Sequence, residues 1–413
     1  MSSVVSSEPT ARQSSLAALQ SSAFRLYFAG QLVSVSGTWM QSVAQQVVVY
    51  DLTKSELALG LVACAQGLPS LLLTPFAGVI IERFPRRQIL VMTQTIMMIL
   101  AFILAALQFT GVLQVWHIVA LSLGIGIANA VDAPARQAFV IEMVGAEQLT
   151  SGIVLNSIMF NAARVIGPAL GGYALAKFGA GWCFFLNGAS FIAVIISLVL
   201  MHVKPIKRIA GPIAIWNPLI EGLRFSLQHE IIKPLLLMSA LTSVFGVTFA
   251  VLVPAFASQI LGDTGIGTAN LLTAQGVGAI LAGIIVANAH RIGRRGHILA
   301  ISAILGPVFL ICFAVSTSYW SALPFIGLTG LFMIMQFITM NTLIQVEVLD
   351  EYRGRVMSLY TLSFFGLSPF SSLLLGILGG SIGTVPSLIL YGSVGLVLMI
   401  LLLWRYPQVL RLR

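Results

Sequence analysis

Long apolar stretches separated by short polar segments recur along the whole chain. A helix that crosses a membrane needs about 20 apolar residues, and twelve stretches of this kind can be placed in the sequence. The pattern therefore predicts an all-α membrane protein with spans at 24–50, 56–81, 88–110, 116–137, 150–176, 181–203, 234–261, 266–289, 298–317, 321–346, 355–380 and 385–405.

Composition supports this fold class. The chain is 58% hydrophobic and only 8% charged, whereas soluble domains carry about 25% charged residues. The cysteines Cys64, Cys183 and Cys312 all lie inside predicted spans, and their spacing fits neither a disulfide framework nor a zinc site. We therefore expect small core cysteines, no metal site and no cofactor.

The basic residues predict the orientation. With a cytoplasmic N-terminus, 19 of the 22 Lys and Arg residues fall on the cytoplasmic side, and only Lys54 and Lys177 lie in outer loops. This asymmetry follows the positive-inside rule and places both termini in the cytoplasm. The net charge of +9 then reflects topology and contact with anionic membrane lipids, not nucleic-acid binding.

The longest polar interruption, residues 204–233, divides the chain near its midpoint. Within it, Leu219, Ile220, Leu223 and Leu227 recur at helical spacing, which predicts an amphipathic helix on the inner membrane surface. We expect the polar N-terminal segment to be a cytoplasmic tail, not a cleaved signal peptide. The predicted units are a tail (1–23), a six-helix half (24–203), the linker (204–233), a second six-helix half (234–405) and a tail (406–413).

The two halves repeat at one constant offset. The segment starting at Glu82 matches the one starting at His290, Gln137 matches Gln345, and the pair Gly171-Gly172 matches Gly379-Gly380, each 208 residues later. Such parallel repeats are typical of two-half transporters.

The fifth span carries an unusual central stretch, Asn161–Gly172. Arg164 is an ion among apolar residues, and a central Arg costs about 2.5–3.5 kcal/mol on insertion scales. Pro168 removes a backbone donor, and Gly167 and Gly171 allow another backbone to approach closely. A membrane helix with these features is expected to face protein or a watery cavity instead of lipid.

This stretch resembles the fifth-helix antiporter signature of the major facilitator superfamily, G-x-x-x-G-P-x-x-G-G, with Ala163 at the first glycine. The pattern is similar to the subgroup that holds the enterobactin exporter and the macrolide efflux proteins. The resemblance implies a major facilitator fold of twelve transmembrane helices in two pseudo-symmetric halves, and antiport. The signature residues are Gly167, Pro168, Gly171 and Gly172.

The turn after the second span resembles the superfamily's loop signature G-x-x-x-D-[RK]-x-G-[RK]-[RK], with Glu for Asp and Pro85 for the second Gly. In the family, such residues and an acid near the end of span four latch the halves together on the cytoplasmic face in the outward-open state. The resemblance implies a latch formed by Gly78, Glu82, Arg83, Arg86, Arg87 and Asp132.

Polar residues inside spans are candidates for binding substrate. Each amide is also explained by an interhelical hydrogen bond, worth about 0.6 kcal/mol on average. For Arg164, a structural tether and a role in substrate binding or coupling both stay open, because no acidic residue lies mid-span. The predicted substrate-binding residues are Gln41, Asn161, Arg164, Gln275 and Asn341.

Together these features favour a secondary active exporter of small molecules, such as a siderophore, macrolide or other drug-like compound, with protons as the coupling ion. Ala120 replaces the Arg of the span-four motif found in many such exporters, so Asp132, Glu142 or Glu347 are the candidates for carrying protons. The alternatives are an importer of a small anionic solute or a lipid flippase. No motif of a membrane enzyme or sensor is found. We expect a monomer in a bacterial inner membrane.

Overall fold

The first six spans form helices because a chain in lipid must satisfy its backbone hydrogen bonds internally. The computed structural model describes residues 16–145, 147–201, 203, 216–289 and 294–412. A short 3₁₀ turn, Ala17–Gln20, precedes the first long helix. The helices of the first half are α1 (Ser22–Thr53), α2 (Glu56–Arg83), α3 (Arg86–Phe109), α4 (Val115–Val144), α5 (Leu149–Phe178) and α6 (Ala180–Leu200).

The second half contains two interrupted spans. The seventh span consists of α8 (Ile232–Thr242), a π turn (Ser243–Val247), a 3₁₀ turn (Thr248–Leu252) and α9 (Val253–Leu261). The eleventh span is broken between α13 and α14, where Pro369 has no N–H to continue the helix ladder. The other helices are α7 (Trp216–Gln228), α10 (Gly265–Ala289), α11 (Arg295–Ala314), α12 (Tyr319–Glu347), α13 (Asp350–Phe365), α14 (Ser368–Ile382) and α15 (Thr384–Arg405).

Eleven helical segments of the described chain are long and apolar enough to cross a membrane. The one remaining predicted span is the first in chain order, α1, which is helical over 32 residues and packs against α5 and α6. Its lower hydropathy comes from polar side chains that are buried, among them Gln31, Ser34, Gln41 and Gln45. The predicted all-α fold with twelve membrane helices is confirmed.

The two halves meet along two interfaces, α2 against α14 and α5 against α10. The 208-residue repeat relates α2 to α10 and α5 to α14. The two interfaces are therefore copies of one another, as expected for halves related by an axis along the membrane normal.

Glycines bring the helix backbones together at both interfaces. A Cβ atom added to Gly60 would lie 2.7 Å from the carbonyl oxygen of Ser372, and one on Gly376 would lie 2.8 Å from that of Glu56. At the α5–α10 interface, a Cβ on Gly276 would lie 2.9 Å from the carbonyl oxygen of Arg164. Only residues without a side chain permit this approach.

The same helices diverge toward the membrane face that carries the turn after α2, helix α7 and the end of α15, which we call the basic face. Added Cβ atoms on Gly78 of α2, Gly283 of α10 and Gly354 of α13 would meet nothing within 4 Å. Among the described residues, the halves thus approach closely toward the opposite face, and no such approach is found at the basic face. We call the space between them the vestibule.

Helix α7 lies within the predicted linker, of which residues 204–215 fall outside the described chain. It exposes Ile220 and Leu227 and is attached to α13 by an ion pair of 2.8 Å between Glu221 and Arg355. The α7 residue Phe225 also stacks on Tyr352 with 4.3 Å between ring centres. An amphipathic helix is therefore fixed to the inner half of the eleventh span.

The close packing at the α2–α14 interface makes a prediction about stability. We expect Gly376→Ala to lower the melting temperature, because overpacking costs about 1–3 kcal/mol, more than the gain of about 1 kcal/mol from replacing a helical glycine. The matched control is Gly380→Ala on the same helix, where an added Cβ meets nothing within 4 Å. Thermal unfolding in detergent measures both, and equal melting temperatures for the two variants would contradict the packing described.

Candidate functional site

Arg164 lies near the middle of α5, beside the point where the α5–α10 interface gives way to the vestibule. Its guanidinium carbon is 5.4 Å from the ring centre of Trp39 on α1. Among the residues that the structure describes, no hydrogen bond and no ion pair of its guanidinium is found, and the residue is half-buried. A half-buried cation with unused donors is therefore a candidate for binding a ligand.

Two predicted binding residues lie near Arg164 in the chain or across the α5–α10 interface. Asn161 lies one helical turn closer to the basic face, where its Nδ2 donates to the carbonyl oxygen of Ser157 over 2.9 Å. Gln275 directly precedes Gly276, the glycine that packs on the backbone of Arg164, and its own side chain packs toward Gly330 of α12. Each of the two side chains is therefore positioned within its own half.

The other two predicted binding residues have partners within their own halves. Gln41 is 5% exposed and its Oε1 accepts a hydrogen bond of 2.8 Å from Asn187 of α6. Asn341 of α12 accepts a hydrogen bond of 2.5 Å from Gln345, one turn further along the helix. Gln41 therefore makes the interhelical hydrogen bond that the sequence left open as the alternative to substrate binding.

The antiporter signature positions α5 between α1 and α10. An added Cβ on Gly167 would lie 2.3 Å from Cβ of Trp39, and one on Gly172 would lie 2.5 Å from Cβ of Ala269. Pro168 lies inside a continuous helix. The glycines therefore pack α5 against its own half on one side and against the second half on the other.

The predicted latch residues do not join the halves in this conformation. Gly78, Glu82 and Arg83 are exposed at the basic face. Arg86 pairs with Glu142 over 2.9 Å, and Arg87 donates to the carbonyl oxygen of Val199. Because the resemblance implies a latch in the opposite, outward-open state, this role stays a prediction.

Asp132, the sixth latch residue, is fully buried inside the first half. It pairs with Arg136 over 2.8 Å and accepts hydrogen bonds from Thr93 at 2.7 Å and Gln94 at 3.0 Å. These contacts tie α3 to α4, so Asp132 lies apart from Arg86 and Glu142.

A cavity of about 610 Å³ opens at the basic face between α3, α4 and α6. Arg86, Arg87 and Glu142 line its polar side, and Met92 and Val199 belong to its apolar side. It lies within the first half and is separate from the vestibule.

Sequence reasoning missed a polar cluster that bridges the halves at the opposite face. Glu56, at the start of α2, is 7% exposed, and its Oε1 accepts hydrogen bonds from Gln259 at 2.8 Å and Thr384 at 2.9 Å. Gln259 also donates to the hydroxyl of Tyr50 over 2.9 Å. Glu56 looked like an ordinary span-end acid, and no pattern linked it to residues more than 200 positions away.

Two solved transporters share this architecture. The bacterial homologue of the human lysosomal transporter Spinster, inward-facing and unoccupied, matches with a TM-score of 0.71 at 15% identity, covering 96% of this chain and 98% of that one. A bacterial homologue of the iron transporter ferroportin, in an inward-facing state, matches with a TM-score of 0.69 at 17% identity, covering 92% and 98%. At these identities the likeness shows the fold alone.

Curated relatives extend over nearly the same length. The staphyloferrin A transporter of Staphylococcus aureus is 22% identical over 377 residues, covering 89% of this chain and 92% of that protein. The enterobactin exporter of Salmonella typhimurium is 25% identical over 390 residues, covering 92% and 91%. A family model described as a transmembrane secretion effector matches residues 13–410. The protein therefore belongs to the transmembrane secretion effector family of the major facilitator superfamily.

Proposed function

We propose that this transporter exports a small anionic or drug-like molecule, of which a siderophore is the best-supported class, from the cytoplasm in exchange for protons. Membership of the family makes it a membrane transporter and not an enzyme. The observation that carries the proposal is Arg164, an unpartnered cation of the described chain at the inner end of an open vestibule. The named cargoes of two relatives, staphyloferrin A and enterobactin, support the substrate class.

Arg164 fits the chemistry of such a substrate. A guanidinium forms strong charge-assisted hydrogen bonds with carboxylate, phosphate or catecholate oxygens. The ring of Trp39, 5.4 Å from the guanidinium carbon, offers a surface for an aromatic or planar group. A bound anion would also relieve the cost of a charge in the middle of the membrane.

Orientation supports the direction of transport. The excess of Lys and Arg at the basic face assigns that face to the cytoplasm of a bacterial inner membrane. The vestibule then opens to the cytoplasm, where an exporter collects its substrate. Since importers pass through the same state, the span-five signature and the exporter relative favour export over the two alternatives, uptake of a small anionic solute and lipid flipping.

The proposed cycle moves the halves about Arg164 as rigid units. Protons would exchange through acidic residues near the basic face, of which Asp132 is fully buried and Glu142 has a largely buried side chain. Opening of the opposite face would bring Gly78, Glu82 and Arg83 toward the second half and form the latch. We expect a monomer, surrounded by anionic lipids at its basic face, to suffice for this cycle.

The role of Arg164 is tested with two substitutions. We expect Arg164→Ala to reduce transport at least about tenfold, because a charge-assisted hydrogen bond is worth about 1.5–3 kcal/mol. Arg164→Lys is expected to retain part of the activity, since it keeps the charge but loses the planar fork. The assay is accumulation of a radiolabelled catecholate siderophore in everted membrane vesicles, with protein level measured by immunoblot.

Ser302→Ala provides the control, because Ser302 is a buried polar residue of α11 whose hydroxyl donates to backbone carbonyl oxygens of its own helix. This variant should transport at nearly the normal rate once corrected for protein level. Equal activity of both Arg164 variants and the native protein would remove Arg164 from substrate binding.

Coupling of transport to protons is tested in a separate experiment. Everted vesicles energised so that protons accumulate in the lumen and flow outward should accumulate the siderophore, and a protonophore should abolish accumulation without lowering protein level. Accumulation that persists with the protonophore would contradict proton antiport. Accumulation in right-side-out vesicles only would show the reverse direction and identify an importer.

A further inference from the structure

The side-chain hydrogen bonds of Glu56 join the two halves at the face opposite the basic face. Glu56 begins α2 of the first half, whereas its two donors, Gln259 of α9 and Thr384 of α15, belong to the second half. Gln259 reaches a second residue of the first half, Tyr50 of α1. Four membrane helices therefore converge on a single carboxylate at the opposite face.

Helix α14 packs closely against Glu56, and the residue is buried. Gly376 and Gly379 of α14 pack directly against Glu56. An added Cβ on Gly376 would lie 2.8 Å from the carbonyl oxygen of Glu56, and one on Gly379 would lie 2.7 Å from its Cβ. The residue is buried, with 7% of its surface exposed. The N-terminal turn of α2, to which Glu56 belongs, favours a negative charge at this position.

Alternating access requires these contacts to break. When the opposite face opens, the second half must carry Gln259 and Thr384 away from Glu56, and the carboxylate must take up water in their place. Among the described residues, no comparable hydrogen bond joins the halves at the basic face, where added Cβ atoms on Gly78, Gly283 and Gly354 would meet nothing within 4 Å. The bonds of Glu56 therefore exist in only one of the two end states of the cycle.

We propose that Glu56 is a positioning residue of transport, which together with Gln259 and Thr384 holds the opposite face closed while the vestibule is open. Loss of the carboxylate shifts the conformational equilibrium toward the state that is open at the opposite face. The inference rests on the alternating access of the proposed function, but on neither the substrate nor the coupling ion. It assigns a function to an acid that the antiporter and loop signatures do not include.

The test measures conformation directly and does not depend on transport. In a background with Cys64, Cys183 and Cys312 replaced by Ser, spin labels at Leu52→Cys and Ser381→Cys report the separation of the halves at the opposite face. Labels at Phe84→Cys and Glu351→Cys report the basic face. All four positions are exposed. Double electron–electron resonance (DEER) spectroscopy in nanodiscs gives the distance distribution of each pair.

We expect Glu56→Ala to raise the ratio of open to closed opposite face at least about tenfold, with a matching shortening at the basic face. Glu56→Gln should restore most of the closed population, because its side-chain oxygen can accept from Gln259 and Thr384. The control is Asp51→Ala, another acid of the same face, whose ion pair with Lys54 is exposed and stays within the α1–α2 turn. This control should leave both distance distributions unchanged.

A second set of variants keeps the test decisive if Glu56→Ala does not accumulate in the membrane. Gln259→Leu and Thr384→Val remove the donors from the other half, and each should shift the distances in the same direction as Glu56→Ala. Unchanged distributions in Gln259→Leu combined with Thr384→Val, or in a folded Glu56→Ala, would overturn the proposal. Either result would overturn the role of Glu56 but not the role of Arg164 in the proposed function, which the transport assays test independently.

Discussion

The conformation of this transporter depends on direct backbone contact between its two halves. In hydrocarbon no hydrophobic force drives one apolar helix toward another, so helices associate through close packing and interhelical hydrogen bonds. Gly60, Gly276 and Gly376 supply the packing, and each would clash across an interface if it carried a Cβ. Gly60 and Gly376 lie toward the opposite face and Gly276 lies near the middle of α10, so the closest contacts hold the halves from the membrane centre to one end.

This arrangement explains how polar groups coexist with a mostly apolar chain. Glu56 lies where the halves touch, and its carboxylate is satisfied by donors that arrive with the second half. Arg164 lies near the middle of α5, and its guanidinium lies over the ring of Trp39 of the same half. The interface between the halves thus provides the partners of Glu56, whereas the contact of Arg164 comes from its own half.

Hydropathy and internal repetition were sufficient to predict the twelve spans and their pairing into halves, because lipid imposes one secondary structure on every crossing segment. The breaks in the seventh and eleventh spans were not predicted, since they arise from Pro369 and from local π and 3₁₀ turns that barely alter the apolar pattern. Within the candidate site, Arg164 was predicted from its charge inside an apolar span and from its place in the span-five stretch, and its role stays a prediction. The bond from Asn187 to Gln41 and the donors of Glu56 come from distant segments, and side-chain pairing of this kind depends on tertiary geometry that a linear pattern does not contain.

The buried amides of α1 also bear on how the protein is made. This helix precedes α4 and α6 in the chain, and several of its polar side chains are buried. Its Gln45 bonds to Ser122 of α4, and its Gln41 bonds to Asn187 of α6. Because the partners of these amides belong to helices that follow α1 in the chain, its hydrogen bonding is completed only after α4 and α6 have been synthesised.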